Sequence, residues 1–148
     1  PRVELSRLTV RQYQQSIADM VLPFEWRNKF EPQGLKGEYY QTRDSSKDKR
    51  KIDRVDPQIR FQFGTDGPDK SVIEPKEYFI RWLGGLWVPV TGEYEFRLRS
   101  ENGVRLWLND QWGKVFIDAG VKLGNDTEFR GTMFLLGGRV YPLRIEYY

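Results

Sequence analysis

The chain has 148 residues, 24 of them basic and 21 acidic, and it contains neither cysteine nor histidine. This length favours one domain with one core, and the lack of cysteine excludes disulfides, thiol nucleophiles and thiolate metal sites. The lack of histidine removes the commonest general base and metal ligand. Any metal would therefore be a hard ion bound by oxygen atoms, with calcium the natural candidate.

The first 33 residues predict one short α-helix followed by a linker. Thr9 and Gln12 have the spacing of a capping box at a helix N-terminus, and the apolar residues that follow share one helical face until shortly before Pro23. The segment 1–33 is interpreted either as a helix that packs on the main domain or as the remnant of a neighbouring domain. Because the chain begins at Pro1 rather than Met, we expect it to be part of a longer protein.

Residues 34–148 predict an all-β domain, an antiparallel β-barrel or β-sandwich. Fourteen glycines and an aromatic fraction of 15% favour strands over helices. Gly84 and Gly85 predict a bulge or bend inside one strand. The charged residues 43–54 predict a solvated loop, with an anionic-ligand patch as the alternative. From their alternating, β-branched and aromatic side chains, strands are expected at residues 35–42, 59–63, 78–87 and 114–118.

The clearest strand signal is a strict alternation over residues 93–99, with three apolar side chains on one face and four charged ones on the other. Residues 104–109 alternate as well. The three residues 101–103 between them predict a hairpin in which Leu98 faces Leu106, because that register buries both apolar faces.

The predicted 93–109 hairpin has consequences for Gly103 and Trp107, and a second hairpin is predicted near the C-terminus. Gly103 is expected in the left-handed conformation that a three-residue hairpin loop requires. Trp107 then points toward Arg97, which predicts a cation–π contact. Near the C-terminus, residues 127–136 and 139–148 predict a further hairpin around a Gly-Gly turn.

Four motifs, in the right order along the chain, give residues 34–148 a resemblance to a known family. The central one, at residues 81–110, is RWLGGLWVPVTGEYEFRLRSENGVRLWLND, and the others are GLKGEYY, IDRVDPQIRF and YPLRIEYY. They resemble the domain named after a fragment of anthrax protective antigen, in a variant similar to copies in planctomycete-type multidomain bacterial proteins. The resemblance implies a β-barrel or β-sandwich with a ligand site at one end.

The resemblance also implies which residues form that site. In the calcium-dependent adhesins of the family, two adjacent aspartates joined by a cis peptide bond hold a calcium ion that binds sugar hydroxyls. Glu101 and Asn102 occupy those two positions, and Asn125 lies in the loop that corresponds to a further ligand. Since an amide replaces one carboxylate, we expect a trans peptide bond and a weak or absent ion. Calcium held by Glu101, Asn102 and Asn125 stays an open alternative.

The function that the resemblance favours is glycan binding through loops at one end of the domain. The expected ligand-binding residues are Glu101, Asn102, Asn125 and Asp126, with Trp112 as the aromatic platform. The domain would then be a non-catalytic, lectin-like carbohydrate-binding module of a larger extracytoplasmic bacterial protein, secreted, periplasmic or on the cell surface. The alternative is a protein-interaction or spacer domain without a sugar ligand. No carboxylate pair is singled out for catalysis, so an enzyme is not expected.

The expected partners are polysaccharides and the other domains of the parent protein. A net charge of +3 is too small to call for nucleic acid, and no stretch is long enough to span a membrane. Family members usually continue with a further strand. If that strand is absent here, a sheet edge lies open and invites pairing with a second copy; if it lies beyond Tyr148 in a longer chain, the edge is covered.

Overall fold

The computed structural model describes residues 34–43, 45–46, 49–121 and 127–148, and the predicted N-terminal helix lies outside these residues. The described residues form eight β-strands and no α-helix. In chain order, the strands are β1 (Leu35–Tyr40), β2 (Arg50–Asp56), β3 (Phe79–Val88), β4 (Gly92–Ser100), β5 (Val104–Leu108), β6 (Ile117–Ala119), β7 (Thr127–Leu135) and β8 (Arg139–Tyr147).

The strands form a sandwich-like fold rather than a closed barrel. One layer is a six-stranded sheet in the order β2-β1-β3-β8-β5-β6, and the other is the pair β4-β7. All ladders are antiparallel. The all-β prediction is confirmed, whereas the barrel is wrong, because β2 and β6 end the large sheet without pairing to each other. Ile80, Leu106 and Ile145 of the large sheet are buried and pack with Phe96 and Phe129 of the small one.

The predicted hairpin between β4 and β5 is wrong, although the alternation that suggested it is confirmed. Along β4 the apolar side chains are half-buried and the charged ones exposed. Strand β4 pairs with β7 over nine residues, from Gly92 opposite Leu135 to Ser100 opposite Thr127. Strand β5 is only five residues long and pairs with β6 and β8. Residues 101–103 therefore carry the chain between the layers, and both apolar faces meet across the core.

The predicted hairpin between β7 and β8 is wrong in the same way, because β8 pairs with β3 and β5. The crossover is fixed by hydrogen bonds to the turn after β3. The Gly138 N–H donates to the Val88 carbonyl oxygen at 2.7 Å, and the Gly137 N–H donates to Thr91 Oγ1 at 2.8 Å. Gly138 has a φ of 72°, a left-handed conformation that glycine adopts without steric cost.

Two predictions in the first half of the domain are also wrong. The charged residues expected as a loop include β2, an edge strand without clean alternation of polarity. Residues 59–63, expected as a strand, have no regular secondary structure. Their alternation reflects ring stacking instead, since Phe61 lies nearly parallel to Trp82 and Phe63, at 5.7 and 5.2 Å between ring centroids.

Strand β3 runs unbroken through its two glycines, so the predicted bulge is wrong. Its register with β8 shows no shift along the whole ladder. The glycines make room for side chains of neighbouring strands: a Cβ at Gly84 would lie 2.6 Å from Leu35 Cδ2, and one at Gly85 would collide with Val140.

Strand β8 is not an edge strand, which corrects the prediction of self-association through the last strand. It lies between β3 and β5, and both of its backbone edges are paired. The edges of the large sheet are β2 and β6. Within the described part of the chain, no helix has the length and apolar character needed to cross a membrane.

Candidate functional site at the tip of the sandwich

The tip loop, residues 100–103, connects β4 to β5 at one end of the sandwich. Glu101 is exposed and forms no hydrogen bond or ion pair with the described residues. The Ser100 hydroxyl donates to the Asn102 carbonyl oxygen at 2.9 Å and lies 3.2 Å from the Asn102 N–H. The peptide bonds of the loop are trans. The tip loop is therefore held locally by Ser100 and presents a carboxylate to solvent.

Tyr147 fixes the side chain of Asn102. Asn102 Nδ2 donates to the Tyr147 hydroxyl oxygen at 2.6 Å, which leaves the amide oxygen available as an acceptor. The Tyr147 ring packs on Phe63 and Tyr78, at 5.7 and 5.9 Å between centroids. Burial, together with a hydrogen bond to Tyr147, raises the pKa of Tyr78 well above its usual range. The amide is thus oriented by a phenol that is itself held in place by aromatic packing.

Gly103 does not have the predicted left-handed backbone. Glycine is required there by close packing: a Cβ would lie 2.7 Å from Cε2 of the Tyr148 ring and 3.0 Å from the Gly120 carbonyl oxygen. The Tyr148 N–H donates to the Gly103 carbonyl oxygen at 2.9 Å, and the Arg43 guanidinium lies 4.2 Å from the centroid of the same ring. The tip loop is thereby held against Tyr148.

Asn125 and Asp126, the other predicted polar ligands, lie outside the described residues. The strands on either side of their segment both end beside the tip loop. Thr127 begins β7 opposite Ser100, and Ala119 ends β6 opposite Val104. The described strand residues that flank this segment, Ala119 and Thr127, therefore lie beside the tip loop.

The described residues of the tip do not make a calcium site by themselves. They offer the Glu101 carboxylate and one amide oxygen, whereas calcium takes about six to eight oxygen ligands. In the residues that the structure describes, no group of three or more carboxylates is arranged to hold a metal ion. The carboxylates of Asp66 and Asp69 are separately engaged, the first by Lys70 at 3.4 Å and the second by a serine hydroxyl at 2.5 Å.

Trp112 is not part of the tip. It lies in the loop after the opposite end of β5, over the outer face of the six-stranded sheet, and is 69% exposed. The Asp110 carboxylate accepts hydrogen bonds from the N–H groups of Trp112 and Gly113 at 3.0 and 2.9 Å. The Gln111 amide donates to carbonyl groups of β3 and β8, and Trp107 Nε1 donates to the Gly113 carbonyl oxygen at 3.2 Å.

Arg144 lies beneath Trp112 and replaces Arg97 as the partner of Trp107. Its guanidinium carbon is 3.6 Å from the ring centroid of Trp107 and 4.6 Å from that of Trp112. Arg97 lies in the other layer of the sandwich, in β4, so the predicted contact with Trp107 is wrong. Burial lowers the pKa of Arg144.

Sequence reasoning missed Ser100, Tyr147 and Arg144. A serine two residues before an asparagine is a signal for a local turn that was available in the sequence. Tyr147 and Arg144 gave no such signal, because only the insertion of β8 beside β5 places them opposite Val104 and Trp107. The contacts of both residues therefore depend on sheet topology, which alternation does not reveal.

Comparison with known proteins identifies the family. The model of the PA14 domain matches residues 31–148, which is most of the chain and includes all described strands. The chain belongs to the PA14 domain family.

Its relatives include anti-sigma factors. The anti-sigma-I factor RsgI3 of Acetivibrio thermocellus is 36% identical over 115 residues, which are 78% of this chain and 17% of that protein. A solved structure of an anti-sigma factor domain-containing protein is 34% identical with a TM-score of 0.68, over 78% of this chain and 38% of the other. One from Clostridium clariflavum is 33% identical with a TM-score of 0.65, over 77% and 36%. This chain thus corresponds to a small part of the curated relative that it matches.

These comparisons correct the resemblance on which the site was first assigned. The predicted membership of an anthrax protective-antigen type, in a variant like those of planctomycete-type proteins, is wrong. The family matched is the PA14 domain, and the relatives at 33–36% identity are anti-sigma factors. The PA14 domain of an antifreeze protein, 16% identical over 77% of this chain and 73% of the other with a TM-score of 0.58, shares the fold alone.

Proposed function

We propose that this PA14 domain is a non-catalytic glycan-binding module with its site at the tip loop. The observation that carries the proposal is the pairing of an exposed carboxylate with an amide of fixed orientation: Glu101 is exposed, and Tyr147 holds Asn102 at 2.6 Å. Sugar hydroxyls both donate and accept hydrogen bonds, so an exposed carboxylate beside an amide of fixed orientation binds them with directional specificity.

Each residue has a distinct role in the proposal. Glu101 accepts charge-assisted hydrogen bonds from sugar hydroxyls, and the amide oxygen of Asn102 accepts a further one. Tyr147 is a positioning residue, because it orients Asn102 from below. Asn125 and Asp126, in the segment between β6 and β7, are proposed as the further polar ligands.

The proposal places the domain outside the cytoplasm as one part of a longer bacterial protein. The proposed ligands are polysaccharides outside the cell, and the similarity to a small part of an anti-sigma factor supports membership of a longer regulatory chain. Its partners would be polysaccharide and the other domains of that chain. Calcium is not needed for the direct contacts proposed for Glu101 and Asn102, and it enters only if residues 122–126 supply the missing oxygen ligands.

Thermal unfolding of the chain with a panel of glycans, in calcium and in chelator, tests the proposal. A ligand that binds only the folded state raises the melting temperature by mass action. We expect a rise with at least one glycan, lost in Glu101→Ala and kept in the matched control Glu93→Ala, an exposed carboxylate at the far end of β4. A rise that requires calcium would assign the metal to the tip loop. No rise with any glycan would overturn the proposal.

A second candidate, a protein-interaction or spacer domain, is favoured by apolar side chains at the opposite end of the sandwich. Val90 is 67% exposed and Phe134 is 61% exposed. Val90 lies in the turn between β3 and β4, and Phe134 of β7 lies opposite Glu93 at the start of β4. Contiguous exposed apolar patches mark protein contacts, and this candidate function requires Val90 and Phe134 to belong to one such patch. This function would be supported if no glycan bound and Phe134→Ser abolished association with another domain of the parent protein.

A further inference from the structure

Strand β4 has one backbone edge that pairs with no other strand in the described part of the chain. Its other edge pairs with β7 over nine residues, and these two strands make up the whole of the small sheet. Outside that ladder, none of the backbone hydrogen bonds found among the described residues involves residues 93–98. A row of N–H and C=O groups along such an edge is a template for a further strand.

The apolar side chains of β4 are covered incompletely. Phe96 and Leu98 lie on the inner face of the strand, yet both are only half-buried. Ile80 and Leu106 of the large sheet are buried, and they belong to strands that are paired on both edges. A strand added at the open edge of β4 would therefore remove further apolar surface from water, which favours association.

The outer face of β4 is complementary in charge to itself. Two carboxylates, Glu93 and Glu95, are followed at the same spacing by two guanidinium groups, Arg97 and Arg99. When two copies of β4 run antiparallel about a two-fold axis at Phe96, Glu95 lies opposite Arg97 of the second copy, and Glu93 lies opposite Arg99. Because a two-fold axis repeats each contact, four pairs of opposite charge form and no pair of like charge.

Other registers of the same two strands do not match in this way. Moving the axis to Glu95 sets that carboxylate opposite its own copy, and moving it to Arg97 does the same for the guanidinium. Like charges directly opposite each other destabilise a strand pair. An axis between two residues would instead set charged side chains beside apolar ones on one face. The sequence of β4 therefore favours the register about Phe96.

The charged groups at this edge are open to a second copy. In the ladder with β7, Arg97 lies directly opposite Arg130, and both guanidinium groups contact the Glu95 carboxylate, Arg130 at 3.8 Å. The two arginine side chains are each 57% exposed and that of Glu95 is 38% exposed. A carboxylate placed at the open edge would therefore reach Arg97 on the side away from Arg130.

We propose that a second copy of this chain pairs with the open edge of β4, antiparallel and centred on Phe96. The two small sheets then form one four-stranded sheet in the order β7-β4-β4-β7. This contact uses neither the tip loop nor a glycan, and it differs from pairing through the last strand, because β8 is paired on both edges. A single strand pair is a small interface held partly by exposed charges, so the dimer is weak and weakened further by salt.

Sedimentation velocity of the chain tests this contact over concentrations from about 5 µM to about 0.5 mM, a range suited to a small interface. We expect a monomer–dimer equilibrium that shifts toward dimer as concentration rises. Glu95→Arg and Arg97→Glu should each raise the dissociation constant at least about tenfold, because each places two pairs of like charge across the axis.

An equimolar mixture of these two variants gives the sharpest measurement. At the two central positions, the Glu95→Arg copy carries only positive charge and the Arg97→Glu copy only negative charge, so a mixed dimer regains both opposite-charge pairs. The mixture should associate at least about tenfold more tightly than either variant alone. Association in the mixture would also show that both variants are folded, because unfolded chains could not present a matching edge.

Asp118→Arg is the matched control. It makes the same change of charge as Glu95→Arg and also breaks an exposed ion pair, with Arg105 at 2.9 Å, but it lies on the large sheet. The dissociation constant of this variant should stay within about twofold of the unaltered chain, since exposed charges away from the interface contribute little.

Several results would overturn pairing through β4. They are a monomer at every concentration, dimerisation that persists in both Glu95→Arg and Arg97→Glu, no gain in the mixture, and a loss in Asp118→Arg as large as that in Glu95→Arg. Dimerisation that is lost in Phe134→Ser but kept in both charge variants would also contradict it, and would move the interface to the end of the sandwich that carries Val90 and Phe134.

Discussion

Trp82 and Asp56 are joined by a hydrogen bond that spans a whole strand. The Trp82 Nε1 in β3 donates to an Asp56 carboxylate oxygen at the end of β2, at 2.7 Å, across the intervening β1. The same carboxylate accepts from the Tyr39 hydroxyl of β1 at 2.5 Å and from Arg54 Nε at 2.7 Å. Asp56 is only 4% exposed. One buried carboxylate therefore ties the charged edge strand β2 to the rest of the sheet.

The first prediction is that this carboxylate is required for stability. Asp56→Ala should lower the free energy of unfolding by about 3 kcal/mol or more, because it leaves buried donors on Trp82 and Tyr39 without an acceptor. Urea denaturation monitored by circular dichroism measures the difference. Asp53→Ala, which removes a 40% exposed carboxylate of the same strand, should cost less than about 1 kcal/mol. Equal losses in the two variants would contradict the role assigned to Asp56.

The second prediction concerns Gly37, which lies directly against this group. A Cβ at Gly37 would lie 2.5 Å from the Asp56 carboxylate and 2.9 Å from the Tyr39 ring, whereas one at Gly92 would meet nothing within 4 Å. Gly37→Ala should therefore destabilise the fold by about 1–3 kcal/mol through overpacking. Gly92→Ala should be neutral or slightly stabilising, since it restricts the unfolded chain without a clash. Equal melting temperatures for the two variants would contradict tight packing of Gly37 against the Asp56 carboxylate and the Tyr39 ring.

The third prediction is a loss of stability at alkaline pH. Burial and then hydrogen bonding to Asp56 raise the pKa of Tyr39, and burial followed by hydrogen bonding to Glu38 raises that of Tyr40. Above about pH 10 the unfolded chain releases tyrosine protons that the folded chain keeps. The unfolded state then binds fewer protons, so the free energy of unfolding falls as pH rises. Urea midpoints measured from pH 8 to 11.5 should be level up to about pH 9 and then decline.

Absorbance at 295 nm gives a direct check on this explanation. In the folded protein, some tyrosines should titrate only together with unfolding, whereas exposed ones titrate near pH 10. Complete titration of all tyrosines near pH 10 without loss of folded circular dichroism would contradict the burial of Tyr39 and Tyr40.

The fourth prediction concerns the positioning role of Tyr147. Tyr147→Phe removes the acceptor for Asn102 Nδ2 but keeps the ring that packs on Phe63 and Tyr78. Affinity for the glycan found in the thermal screen should fall about threefold to tenfold, because a net hydrogen bond is lost and the amide is released. Tyr94→Phe removes a comparable hydroxyl at the other end of the sandwich, where it donates to the Val90 carbonyl oxygen at 2.7 Å, and should leave the affinity unchanged.

The strands could be predicted from sequence much better than their partners. Alternation correctly identified β4 and its buried face, because side-chain polarity reports which face meets the core. It did not show that β4 pairs with β7, since a period of two carries no information on the neighbouring strand. Short loops at 101–103 and 137–138 suggested hairpins, but each crosses between layers. Edge strand β2 was missed because neither of its faces gives a clear apolar pattern.

The same limit applies to the site. The position of Glu101 and Asn102 in a loop at the end of β4 could be predicted, because residues 101–103 are turn-forming residues between two alternating segments. Trp112 was assigned to the same site, yet the structure places it on the outer face of the large sheet over Arg144. That separation follows from strand order, because the tip precedes β5 and Trp112 follows its opposite end. Tyr147 reaches Asn102 only because β8 inserts beside β5.

The most direct test of glycan binding at the tip is a nuclear magnetic resonance titration of the isotope-labelled chain with the glycan identified in the thermal screen. Glycan binding at the tip should shift the amide resonances of residues 100–103, Thr127 and Tyr147 in proportion to bound glycan, with the Asn102 side-chain amide among the largest changes. Resonances around Val90 and Phe134 should stay in place. Shifts confined to Val90 and Phe134, or no shifts at a saturating glycan concentration, would contradict glycan binding at the tip.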